Sequence, residues 1–130
     1  MENILNTLQE RKKPVAKLAK NSKLFKTIIS SIQDKKAENI VVLDLRKIEE
    51  AVADFFVLCD GRSHIQVKAI ADNVKDEVEK ECEERPYHVE HGEKWTLVDY
   101  VNIVVHIFQH EHREFYSLES LWADAERTEY

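Results

Sequence analysis

A chain of 130 residues suits a single domain that buries about 70% of its unfolded surface. Its 25 acids against 19 bases, a net charge of −6, disfavour bare nucleic acid, which is held mainly by Lys and Arg on phosphates, and favour a basic protein surface. No apolar run approaches the ~20 residues that span a bilayer, no charged-then-apolar signal opens the chain, and Cys59 and Cys82 read as reduced thiols of a bacterial cytoplasmic protein rather than as a disulfide framework.

Residues 1–21 stand apart as a loosely attached arm. Ile4, Leu5 and Leu8 make a short apolar stripe, and Arg11, Lys12, Lys13, Lys17 and Lys20 follow around Pro14. Ser22 then caps a helix whose Leu24, Phe25, Ile28, Ile29 and Ile32 fall on one face. That helix ends near Lys35 and Lys36, where positive charge suits the C-terminal dipole. Residues 40–45 read as a buried strand, 45–52 as a connection and 54–59 as a second strand. Asp60, Gly61, Arg62 and Ser63 turn into the longest helix, with Ser63 and Gln66 at capping-box spacing. Val67, Ile70, Ala71, Val74 and Val78 form its inward stripe, and the stretch 81–85 with Pro86 ends it.

A short strand over 87–90, a turn at Gly92 and a strand over 95–99 come next. Asn102 marks a turn or bulge before a strand over 103–108. A helical tail over 111–122 carries Tyr116, Leu118, Leu121 and Trp122. The pattern predicts an α/β (α+β) domain over 22–124, with a mixed sheet of about five strands flanked by helices, and a short acidic tail over 125–130.

The quoted run from Ser22 to Asp124 resembles the ribosomal silencing factor family, also called the Iojap family. The resemblance rests on Asp54-Phe55-Phe56, on 66–74 of the long helix, on 95–100, on Val104-Val105-His106 and on 116–122. It implies a fold related to nucleotidyltransferases but without their activity. It also implies binding to a small basic β-barrel protein on the joining face of the large ribosomal subunit. Small-subunit docking would thereby be blocked sterically and translation lowered when nutrients run short; free members are often homodimers. Many members carry Gly-Asp where this chain has Val101-Asn102, which leaves no carboxylate at that position. Residues before about 22 match nothing in the pattern.

Three site readings compete. Nucleotidyl transfer needs a Gly-Ser turn and paired strand carboxylates for Mg²⁺. Gly61-Arg62-Ser63 echoes the turn, yet Asp99 has Val101 two residues on, and Asp72 and Asp76 fall on a helix. Metal binding would draw on His88 and His91, or on His106, His110 and His112, but neither group has a recognised ligand spacing, so no metal and no cofactor are expected. The third reading is a docking face. Strand alternation puts Trp95, Leu97 and Asp99 on one side, an apolar anchor beside a registering charge. Tyr100, His106, Tyr116, Glu119 and Trp122 complete the expected partner-binding set. Against it stands a simpler role, in which Trp95 covers the sheet and Tyr116, Leu118 and Trp122 pack the tail onto the domain. With the resemblance counted, the expected function is that of a non-enzymatic ribosomal silencing factor. The alternatives are a large-subunit assembly or adaptor factor, and a nucleotidyltransferase-like enzyme.

Overall fold

The computed structural model describes residues 19, 22–113 and 125–130. Its elements are α1 (Lys23–Asp34), β1 (Glu38–Asp44), β2 (Phe55–Gly61), α2 (His64–Cys82), β3 (His88–His91), β4 (Trp95–Asp99), β5 (Ile103–Gln109), a 3₁₀ turn (His110–His112) and β6 (Glu126–Glu129). The arm over 1–18, and Tyr116, Glu119 and Trp122 in the expected tail helix, lie outside the described residues.

Both helices begin as their sequences predict. The Ser22 side chain accepts a hydrogen bond from the Phe25 amide at 3.2 Å, and the Ser63 hydroxyl accepts one from the Gln66 amide at 3.1 Å. The Gln66 side chain departs from a capping box, because its oxygen accepts from the Arg62 amide rather than from that of Ser63. Its amide nitrogen donates to the carbonyls of Lys35 and Lys36. One side chain therefore ties the end of α1 to the start of α2.

The sheet has the order β3-β4-β5-β2-β1-β6. β2 and β5 are parallel, with Phe55 opposite Ile103 and Gly61 opposite Gln109, and every other pairing is antiparallel. Alternation divides the side chains between two cores. Phe55, Val57, Cys59, Val98, Tyr100, Ile103, Val105 and Ile107 pack with the apolar stripes of α1 and α2. Val41, Leu43, Phe56, Leu58, Trp95, Leu97, Val104 and Phe108 form the second core, together with Leu45, Ala51, Val52 and Ala53 from the 45–54 connection.

Among the described residues the sheet has six strands, where about five were expected. The added one is β6, in the stretch expected to be an acidic tail, where Val41 to Asp44 pair with Glu129 to Glu126. Its sequence Glu-Arg-Thr-Glu shows no apolar alternation, because an edge strand exposed on both faces needs none. The open edge of β1 supplies its hydrogen bonds. The Tyr130 amide donates to the Ile40 carbonyl, and the Tyr130 ring lies 6.3 Å from that of Phe25.

The β4–β5 connection is tighter than a bulge. Val101 has φ 74°, and the Asn102 amide reaches the Tyr100 carbonyl at 2.9 Å. This hydrogen-bonded pairing two residues apart is a γ-turn of the rarer, strained kind. Few glycines are available to this chain, and Lys36, Asn39 and Glu83 also hold left-handed positions where glycine or asparagine is usual.

Candidate protein-docking site

Pairing of β4 with β5 sets Leu97 opposite His106 and Trp95 opposite Phe108. The Trp95 indole N–H donates to His106 Nδ1 at 3.0 Å. Phe56 meets the imidazole edge-on at 4.6 Å between centroids, and Phe108 stacks on Trp95 at 5.2 Å. Trp95 and His106 are both 0% exposed. Since Nδ1 accepts, the ring proton of the neutral imidazole sits on Nε2, which has no hydrogen-bond partner. Burial lowers the His106 pKa to about 3, because charging the ring in this apolar cluster would forfeit its hydration.

Asp99 faces the turn. Its Oδ1 accepts the Val101 amide at 2.8 Å, which steadies the strained residue. Across the same end of the sheet the Asn102 side chain donates to Asp54 Oδ2 at 2.9 Å, and the Asn102 carbonyl accepts from the amides of Asp54 and Phe55. Tyr100 points to the helical side. Its hydroxyl is buried without a partner, and its pKa is raised, first by burial and then by the charges of Glu84, Cys82 and Glu79.

Trp95, Leu97 and His106 thus share a face, Asp99 ends β4 and Tyr100 follows it. All five side chains are buried. None of the five projects from the surface. Tyr87 is exposed at 71%, and its amide donates to the Asp99 carbonyl.

The transferase echo is absorbed by structure. A Cβ on Gly61 would stand 2.8 Å from Val67 Cγ2 and 3.0 Å from the Val67 nitrogen, so this glycine lets the strand approach the helix closely. Ser63 is spent on the helix cap, and Arg62 pairs with Glu38.

Asp60, read from sequence only as part of a turn, is 1% exposed. It accepts from Asn39 Nδ2 at 2.7 Å and Arg113 Nη1 at 2.7 Å, and His110 Nδ1 lies 3.0 Å away. No local pattern announces this cluster, since its members come from 39, 60, 110 and 113. Among the described residues no group of three or more His, Cys, Asp or Glu side chains converges as for a metal. Cys59 is buried and its thiol pushed up to about 12 by desolvation, and Cys82 contacts the Thr27 hydroxyl at 3.6 Å. Among the described residues no helix is long and apolar enough to cross a membrane.

Residues 18–130 match the family described as "Ribosomal silencing factor during starvation". The chain belongs to the ribosomal silencing factor family. Curated relatives agree: the ribosomal silencing factor of Halalkalibacterium halodurans is 37% identical over 84% of this chain and 93% of its own. That of Bacillus subtilis is 39% identical over 78% and 86%. The chloroplastic Iojap protein of Zea mays is 33% identical over 69% of this chain and 39% of its own length.

Solved structures share the fold. A crystal structure from Bacillus halodurans has TM-score 0.68 and 36% identity, covering 78% of this chain and 95% of that one. One from Chromobacterium violaceum has TM-score 0.71 and 30% identity, covering 77% and 83%. Family membership supports a role in ribosome silencing.

Proposed function

We propose that this chain silences ribosomes by occlusion. It seats on a small basic β-barrel protein at the joining face of the large subunit, keeps the small subunit away, and so lowers translation when nutrients are short. It acts in the cytoplasm and as a homodimer when free. No bond is made or broken, and the reading calls for no metal or cofactor.

The observation that carries this proposal is the family match over residues 18–130. Two features support it. The net charge of −6 suits a cationic protein partner and speeds encounter with it. The turn residues that echo a transferase have structural roles here: Gly61 packs against Val67 and Ser63 caps the helix.

In this reading the docking surface lies over the β4–β5 hairpin. Trp95, Leu97 and His106 support it from beneath, Asp99 and Tyr100 hold the turn at its end, and Tyr116, Glu119 and Trp122 are further partner-binding residues of the proposal. Rigid support is what a steric blocker requires, because ordering a loose surface on binding would cost affinity. Co-sedimentation tests the proposal: purified large subunits should retain the protein at moderate salt, and small subunits should not. Loss of the protein from both pellets would overturn it.

A further inference from the structure

We infer that Val101 is an apolar contact to the protein partner, kept at the turn between β4 and β5 in spite of the backbone strain it brings. This contact rests on the docking function proposed above and names the chemistry at one point of that surface.

The strain is particular to this position. Val101 has φ 74°, and a β-branched side chain is a genuine outlier there. Lys36, Asn39 and Glu83 also have positive φ, between 51° and 59°, but none of them is branched at Cβ. Lys36 and Glu83 follow helix ends, where a left-handed residue is common. Strain of the Val101 kind persists only where the surroundings over-determine it, and here they do. Asp99 Oδ1 accepts the Val101 amide at 2.8 Å. On either side, the Tyr100 amide donates to the Ile103 carbonyl at 2.8 Å and the Asn102 amide to the Tyr100 carbonyl at 2.9 Å. The Asn102 side chain donates to Asp54 Oδ2 at 2.9 Å, and its carbonyl accepts from the amides of Asp54 and Phe55.

A glycine at 101 would keep every one of these bonds and adopt positive φ without steric cost. The valine methyls therefore need a use of their own. Among the described residues, packing in the two cores does not supply it. Val101 is half-buried and stands outside both cores and the half-buried apolar side chains packed on them. Its position does supply one. Asp99, 2% exposed, accepts the Val101 amide on its carboxylate and the Tyr87 amide on its carbonyl. An open aromatic residue and a half-open valine are thus anchored to one buried residue at the end of the hairpin. Valine carries no side-chain donor or acceptor. What it adds over glycine is apolar area, so the partner group it meets is apolar. A turn hydrogen-bonded this fully presents that area with little further ordering on binding, and tyrosine is a frequent interface anchor.

The test sets thermal melts beside co-sedimentation of the full-length protein with purified large subunits. Val101→Gly removes both the strain and the methyls. It should raise the melting temperature by about 3 °C, net of the freedom glycine gives the unfolded chain. It should also weaken retention about fivefold, the scale of burying part of a valine side chain. Val101→Thr keeps the branch and the shape but exchanges a methyl for a hydroxyl, so it should melt with the parent and still be retained less. Lys36→Gly relieves a left-handed position at the opposite end of the sheet, and should raise the melting temperature without changing retention. A lower melting temperature for Val101→Gly would show that the side chain serves the fold, and would overturn the contact. Equal loss of retention in Lys36→Gly would overturn it as well. Retention of Val101→Gly or Val101→Thr equal to that of the parent would overturn the contact and leave the docking function standing. A parent chain that large subunits do not retain would overturn both.

Discussion

His106 makes the stability of this domain sensitive to mild acid. Its ring is fully buried beside Trp95, Phe56 and Phe108, and its pKa falls from the ordinary 6.5 to about 3. The unfolded chain therefore binds a proton that the folded chain refuses throughout the interval between those values. Stability is fully present above 6.5 and is lost as the pH falls towards 3. From pH 7 to pH 5 the unfolded state gains about 1.5 pH units of protonation advantage, or about 2 kcal/mol.

Urea titrations at the two pH values measure the effect. With a slope of about 1.5 kcal/mol per molar, the midpoint should drop by about 1.3 M. His106→Gln supplies an oxygen to accept the Trp95 N–H and cannot titrate, so the variant should lose much less between pH 7 and 5. Equal losses in the variant and the parent would show that His106 is not the group responsible.

Two further substitutions test the packing at the β2–α2 junction. Gly61→Ala places a methyl against the side chain and backbone of Val67, and a thermal melt should show destabilisation of about 1–3 kcal/mol; an unchanged melting temperature would refute the close-approach role. Asp60→Asn withdraws the charge that Arg113 and His110 face while leaving Arg113 largely buried. It should cost about 3 kcal/mol in urea unfolding at pH 7, and a loss below about 1 kcal/mol would place this cluster among surface ion pairs instead.

Much of the fold is written in local patterns. Both helix starts follow from Ser22 and Ser63, and the inward stripes of α1 and α2 are the ones that pack on the sheet. The division of β4 into a Trp95–Leu97 side and a Val98–Tyr100 side also follows from alternation alone. β6 was not legible, because its pairing is conferred by the free edge of β1 and not by its own polar residues. The depth of Trp95 and His106 was hidden for a related reason. Alternation assigns a side chain to a face but does not say what lies above that face. The Asp60 cluster joins residues up to 74 positions apart.

The most direct measurement is subunit joining in vitro, followed by light scattering as purified small and large subunits are mixed. Preincubating the large subunit with a saturating amount of this protein should leave the two populations separate, whereas adding it to the small subunit alone and then removing the excess should not. Normal joining after preincubation, with the protein demonstrably on the large subunit, would contradict occlusion and favour an adaptor or assembly role.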